Sequence, residues 1–159
     1  MTAKLTNNST QDANNKRKAI FAGSFNPFTV GHASIVERGL QIFDEIIIVV
    51  GINALKTSEN AEKLAQTIRK LYNNEPRITV LVWSGLMVEL ARELNVRFFL
   101  RGVRNVSDFE YERNMADINR RLSGIETVLL PSLPEYGYLS SSVVRELESY
   151  GVDVSDMVP

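Results

Sequence analysis

The sequence contains no cysteine among its 159 residues. That absence removes disulfides, iron–sulfur clusters, thiolate zinc sites and cysteine nucleophiles together. Histidine occurs once, and one imidazole without thiolates leaves almost nothing for a transition-metal cage. An excess of charge is missing too: 18 Lys and Arg stand against 19 Asp and Glu, for a formal charge of −1. No global basic field therefore points to nucleic acid. The longest apolar run, Ile46–Ile52, is far short of the ~20 residues that a bilayer span requires. No apolar core follows Lys4, so the start does not read as a signal peptide. These absences point to a cytoplasmic globular domain with neither a nucleic-acid nor a membrane partner. The length suits a single domain with a sizeable core.

Residues 1–18 differ from the rest. They hold four Asn, three Thr and only two large apolar residues, Met1 and Leu5, and carry a charge of +3 that leaves −4 for the body. Such a segment buries too little apolar surface to offset its ordering entropy, so it is expected to be a flexible polar leader before a single domain over 19–159. From Ala19 onward, short apolar runs alternate with amphipathic stretches. The runs at 19–22, 45–52, 77–83, 96–100 and 126–130 are rich in Ile, Val and Phe, as strands covered on both faces are. Between them, Ala33, Val36, Leu40 and Phe43 share a helical face, as do Leu64, Ile68 and Leu71. Leu86, Leu90 and Leu94 form a third set, and Tyr111, Met115, Ile118 and Leu122 a fourth. A last helix is expected from Ser142, burying Val143, Leu147 and Tyr150. Five strands alternating with five helices predict an α/β fold with a doubly wound, five-stranded parallel sheet.

In such sheets ligands bind outside the carboxyl ends of the strands, and the informative residues fall there. The segment after strand one reads GSFNPFTVGH, residues 23–32. Neither the dinucleotide-binding nor the P-loop glycine pattern is present. What remains is a tight turn that brings backbone N–H groups and the His32 imidazole to a helix N-terminus, which favours phosphate through unpaired donors and the macrodipole. By itself, an imidazole there is more often an ordinary surface residue than a catalyst. Strand four runs into RGVRNVSDFEYE at 101–112. A buried strand ending in Arg-Gly-x-Arg is poorly explained by packing, and guanidinium forks match phosphate oxygens bidentately. Salt bridges to Asp108, Glu110 or Glu112 are the competing account, and both hold together if the carboxylates orient the arginines.

The serines 140–142, before the apolar Val143 and Val144, form a helix cap. Capping needs one hydroxyl, so three of them, with the helix N–H groups, suggest a second phosphate cradle to which Arg145 adds charge. Lys56 reads as an isolated loop cation, and Trp83 and Met87 as packing.

Taken together, these strings resemble the phosphopantetheine adenylyltransferases of bacterial coenzyme A biosynthesis, from about Ala19 to Val154. The GSFNP…TVGH string resembles the wider nucleotidyltransferase superfamily, with His32 as the second histidine of its H-x-G-H motif and Thr29 at the first. RGVR, DFEYE and SSS-x-x-R are similar to this one family. The resemblance implies a Rossmann-like nucleotidyltransferase fold and transfer of AMP from ATP to 4′-phosphopantetheine. Residue by residue, it implies that Ser24 and Phe25 meet ATP, that Ser24 also meets the pantetheine substrate, and that His32 stabilises the transition state. Lys56, Met87 and Arg101 match positions that hold phosphopantetheine. Gly102, Val103, Arg104 and Glu112, with Tyr136, Gly137, Tyr138, Leu139, Ser140, Ser141 and Ser142, match the ATP site. It further implies magnesium-bound ATP, a homohexamer, and dephospho-coenzyme A and coenzyme A as product or feedback ligands. The chain departs from the family pattern at Asn26, where Asp is usual, at Ser24 for Thr, at Leu64 for Arg, and in a loop after Lys56 about one residue shorter. It also stops soon after Val154, where the family continues into a short helix. A sister enzyme acting on nicotinate mononucleotide shares the GSFNP start, but RGVR…DFEYE and the short length argue against it. A non-catalytic nucleotide-binding module is the other alternative, separated by turnover, and the basic leader adds an anchoring role as a third.

Overall fold

The structure is a computed structural model that describes residues 16–52 and 58–159. Five strands, β1 (Lys18–Gly23), β2 (Glu45–Gly51), β3 (Ile78–Trp83), β4 (Phe98–Val103) and β5 (Glu126–Pro131), alternate with five helices. The helices are α1 (Val30–Gly39), α2 (Ser58–Leu71), α3 (Met87–Glu93), α4 (Val106–Ser123) and α5 (Ser141–Ser149), with a 3-10 turn at Pro134–Tyr136 before the last. All strand pairs are parallel, in the order β3-β2-β1-β4-β5. The chain therefore reverses its winding between β1 and β4, the topological switch point where such sheets bind ligands.

Alternation along the strands divides the core in two. Ala19, Phe21, Ile46, Ile48 and Leu100 face α1 and α2, packing on Ala33, Val36, Ala61 and Ile68. Ile20, Ile47, Val49 and Phe99 face the other way, onto Val88, Leu90 and Ala91 of α3. The doubly wound reading holds. Strand edges differ from the expected ones by at most one residue except in β4, which starts at Phe98 and extends through Arg101 to Val103.

Several residues do not lie where periodicity placed them. Tyr150 is 79% exposed, and the residue that α5 buries is Val144. Leu71 and Leu86 are exposed as well. Tyr111, Ile118 and Leu122 share a face of α4 but all three are exposed, because a cleft of about 700 Å³ separates that face from Ile20, Phe99 and Thr127 of the sheet. The buried side chain of α4 is Glu112. At the other end, the expected leader overlaps the fold: β1 begins at Lys18, Lys16 reaches Glu45 at 2.6 Å, and the Arg17 N–H donates to Asp44 at 2.7 Å. Residues 1–15 of that segment lie outside the described residues.

Helix α1 lies close on the sheet because Gly39 has no side chain. A Cβ there would stand 2.5 Å from Leu100 and 2.8 Å from Ile46, and both neighbours are fully buried. Gly39→Val is expected to destabilise the fold by about 1–3 kcal/mol, the usual cost of overpacking. Chemical denaturation should show that loss as a lower midpoint with an unchanged m-value.

Candidate active site

Strands β1 and β4 stay in register for two pairs only, Ala19 with Phe98 and Ile20 with Phe99, and a polar cleft of about 520 Å³ opens beyond them. Thr29 is the N-cap of α1. Its hydroxyl accepts the His32 N–H at 3.3 Å, and the His32 side chain in turn takes the Thr29 backbone N–H on Nδ1 at 3.0 Å. This is a capping box with imidazole in the place of the usual carboxylate or carboxamide. Because Nδ1 accepts, the neutral ring carries its proton on Nε2. Phe21, Phe25 and Phe28 surround the ring at centroid distances of 6.2, 5.1 and 5.4 Å. Phe25 holds its place through a left-handed backbone, φ 47°. Burial, with Arg101 and then Arg104 nearby, pushes the His32 pKa down from 6.5 to about 4. The imidazole is thus a neutral donor at physiological pH.

The other wall is basic and held by carboxylates. Arg101 forks onto Glu112, Nε to Oε2 at 2.9 Å and Nη2 to Oε1 at 2.6 Å, and its Nη1 donates to the Ala22 carbonyl of β1. Arg104 donates to Asp108 from Nε at 2.8 Å and Nη2 at 3.2 Å, and to the Leu139 carbonyl at 3.3 Å. The Arg104 hydrogen bonds hold the Asp108 carboxyl below its ordinary pKa. Asn105 caps α4 by accepting the Asp108 N–H at 2.8 Å. The arginines are therefore oriented by carboxylates, as the salt-bridge account expected, and both line the cleft.

The third wall is the start of α5. Ser140 is the cap, accepting the Val143 N–H at 3.1 Å, and Ser141 donates to the Pro27 carbonyl at 2.8 Å. Ser142 accepts from Arg145 at 3.2 Å, and Arg145 also donates to the Asn26 carbonyl. Each serine thus has a protein partner, and the expected cradle is narrower than three free hydroxyls. Arg145 clamps the Asn26 turn and is absent from the cleft lining.

Of the residues singled out in the sequence, Ser24, Phe25, His32, Arg101, Gly102, Arg104, Glu112, Tyr136, Leu139, Ser140 and Ser141 line the polar cleft. Val103 is buried beneath it, and Gly137, Tyr138 and Ser142 are exposed outside its lining. Met87 belongs to the larger apolar cleft under α4, which adjoins the first and shares Arg101, Tyr111 and Glu112 with it. Lys56 lies outside the described residues. Ile35, Ser107, Tyr111 and Ser132 also line the polar cleft. Ser107 and Tyr111 sit in the specific string, whereas Ile35 and Ser132 carry no sequence signal. Leu64 is partly buried against the core.

Comparison with known proteins defines the class first. The cytidylyltransferase-like family matches residues 20–147, so the fold and cleft are those of a nucleotidyltransferase. The chain is 53% identical over 145 residues to a phosphopantetheine adenylyltransferase of Porphyromonas gingivalis, covering 91% of this chain and 95% of that protein. It is 51% identical to one of Bacteroides thetaiotaomicron, over 90% of this chain and 95% of the relative, and 39% identical to one of Caldanaerobacter subterraneus, over 90% and 91%. The chain belongs to the phosphopantetheine adenylyltransferases, nucleotidyltransferases of coenzyme A biosynthesis.

With a single histidine, the imidazole is directly observable. Nitrogen NMR is expected to show the Nε2–H tautomer at pH 7 and a midpoint well below 6.5; a midpoint at 6.5 with mixed tautomers would contradict the caged ring. The unfolded chain takes up this proton at higher pH than the folded one, so His32 makes stability fall between pH 6.5 and about 4. Urea unfolding of wild type and His32→Gln across that window checks the sign, the variant showing the flatter dependence.

Proposed function

We propose that the two adjoining clefts hold the two substrates of adenylyl transfer from ATP to 4′-phosphopantetheine, which yields dephospho-coenzyme A and pyrophosphate. The supporting observation is the shared wall. A polar cleft bordered by the starts of α1 and α5 suits a nucleoside triphosphate, an apolar one under α4 suits a pantetheine arm, and Arg101 borders both.

The chemistry requires little beyond placement. A phosphate monoester has a second pKa near 6 and is mostly dianionic at neutral pH, so the attacking oxygen needs no general base. The obstacle is anion–anion repulsion, about 1 kcal/mol per pair of unit charges at 4 Å in water and several times more at lower dielectric. Arg101 offsets it on the acceptor phosphate. Arg104, the α1 and α5 N-termini and the neutral Nε2–H of His32 offset it on the triphosphate. The acceptor oxygen forms its bond to the α-phosphorus as the bond to the pyrophosphate oxygen breaks, with no covalent enzyme intermediate. Catalysis is in-line positioning plus charge stabilisation.

Among the described residues no group of three His, Asp or Glu side chains is placed to hold a metal ion, and Asp108 and Glu112 are each engaged by an arginine. Magnesium fits as part of the nucleotide substrate, carried on the triphosphate. Val106 and Phe109, exposed apolar residues of α4 outside both cleft linings, suit subunit contacts of a homohexamer. No helix among the described residues is long and apolar enough to cross a membrane, and the reading places the reaction in the cytoplasm. Dephospho-coenzyme A and coenzyme A would occupy the same paired clefts as product or feedback ligands.

Incubation with ATP, magnesium and 4′-phosphopantetheine should yield dephospho-coenzyme A and pyrophosphate in equal amounts; binding without turnover would overturn the reading. His32→Ala should lower kcat by on the order of 10²–10³, the loss of one preorganised donor, with little change in KM. Arg101→Ala should raise the KM for phosphopantetheine more than that for ATP, and Arg104→Ala the reverse. Identical effects of the two arginine variants on both substrates would show that they hold the loop and do not divide the phosphates.

A further inference from the structure

The chain leaves α5 through Gly151, whose φ of 76° is left-handed. The Val152 N–H donates to the Leu147 carbonyl at 3.0 Å and the Gly151 N–H to the Glu148 carbonyl at 2.9 Å, the paired bonds of a Schellman turn. That turn redirects the chain towards the start of α1. Asp153 accepts the Ser155 N–H at 2.9 Å, the Met157 N–H donates to the Val154 carbonyl at 2.9 Å, and the Met157 carbonyl then accepts the Val30 N–H at 3.0 Å. Val30 is the first residue of α1, so its N–H is one of the donors that no helix satisfies internally.

A cavity lies behind the same turn. Pro27, Phe28, Val144, Val154, Val158 and Pro159 line a cavity of about 280 Å³. Phe28 also packs against the His32 ring, with centroids 5.4 Å apart. The segment after α5 therefore bonds to the residue after Thr29 and borders, across this cavity, the residue before it, and Thr29 is the residue that holds His32 Nδ1.

We propose that Val152–Pro159 is a positioning strap for the transfer reaction, fixing the His32 imidazole through the Met157 carbonyl on Val30 and through Val154 and Val158 behind Phe28. The inference rests on the reading of His32 as the donor at the transferred phosphoryl group. Val30 and Phe28 flank the capping box, so a shift at either one tilts the imidazole even though the strap touches neither cleft. A donor that must meet developing charge at one place tolerates little such tilt.

Two substitutions approach the strap from opposite sides. Thr29 is extended, φ −105° and ψ 165°, as a residue before proline must be, and the first helical position tolerates proline. Val30→Pro in the full chain therefore removes the strap's donor and leaves α1 intact. Val158→Asp unseats the strap from the cavity. Both variants are expected to lower kcat about ten- to hundredfold while the KM for each substrate stays within about twofold. Both should shift the His32 ring nitrogens and raise their titration midpoint towards 6.5, and the double variant should add little to either single one. Val96→Ala, in the core on the opposite face of the sheet, serves as a control for simple loss of stability. Wild-type His32 resonances and kcat in both strap variants, or losses no larger than those of Val96→Ala at equal Tm, would overturn the proposal. If His32→Ala itself keeps its kcat, the role of His32 fails separately, and the ring nitrogens alone decide on the strap.

Discussion

Two parallel strands that pair for two residues and then part set the terms for everything at the site. Beyond Ile20 and Phe99, β1 and β4 no longer satisfy one another's backbone, and buried backbone groups need partners. Arg101 supplies one across the gap by donating to the Ala22 carbonyl while its other nitrogens fork onto Glu112. One side chain thus ties β1, β4 and α4 together at the opening of the cleft. The opening stays propped, and the guanidinium is fixed where the two clefts meet. Glu112, 8% exposed, is tolerable as a buried carboxylate because it is paired and bidentate.

Burial first, and the same arginines after it, set the state of His32. A wall that carries two guanidinium groups is hostile to a further cation, and here burial with Arg101 and Arg104 drives the imidazole to its neutral form. A neutral ring with Nδ1 occupied by the Thr29 N–H has one orientation for its remaining proton. In the proposed reaction it would donate a hydrogen bond without competing for a proton with the acceptor phosphate, which is mostly dianionic.

Much of this was legible in the sequence because the signals are periodic or compositional. The five apolar runs became the five strands, and the pattern of alternate helices gave the doubly wound sheet. What escaped was what one chain's periodicity does not encode. Tyr111, Ile118 and Leu122 have the right spacing for a core face, yet they border a cleft and remain exposed. Spacing reports which residues share a side, and only the tertiary arrangement reports whether that side is covered. The serines at 140–142 were legible as a cap, whereas the pairing of Ser141 with Pro27 and of Arg145 with Asn26 joins residues more than a hundred positions apart. The aromatic cage escaped for the same reason: Phe25 and Phe28 follow no period, and a left-handed turn brings them onto His32.

Helix α4 shows how far function shapes the fold. An amphipathic helix ordinarily buries an apolar stripe on its own sheet, but the side chain α4 buries is the carboxylate that aims Arg101. Its apolar stripe stands over a cleft, and Val106 and Phe109 near its start are exposed. Packing that cleft shut would gain hydrophobic stabilisation and remove the volume proposed for the pantetheine arm. The helix is held by the Arg101–Glu112 fork, the Asn105 cap and its contacts with β4, β5 and α3. Val106 and Phe109 line neither cleft and gain from burial against other copies. The site and the proposed hexamer thus draw on different residues of the same helix, its cleft-facing stripe on one side and its exposed start on the other.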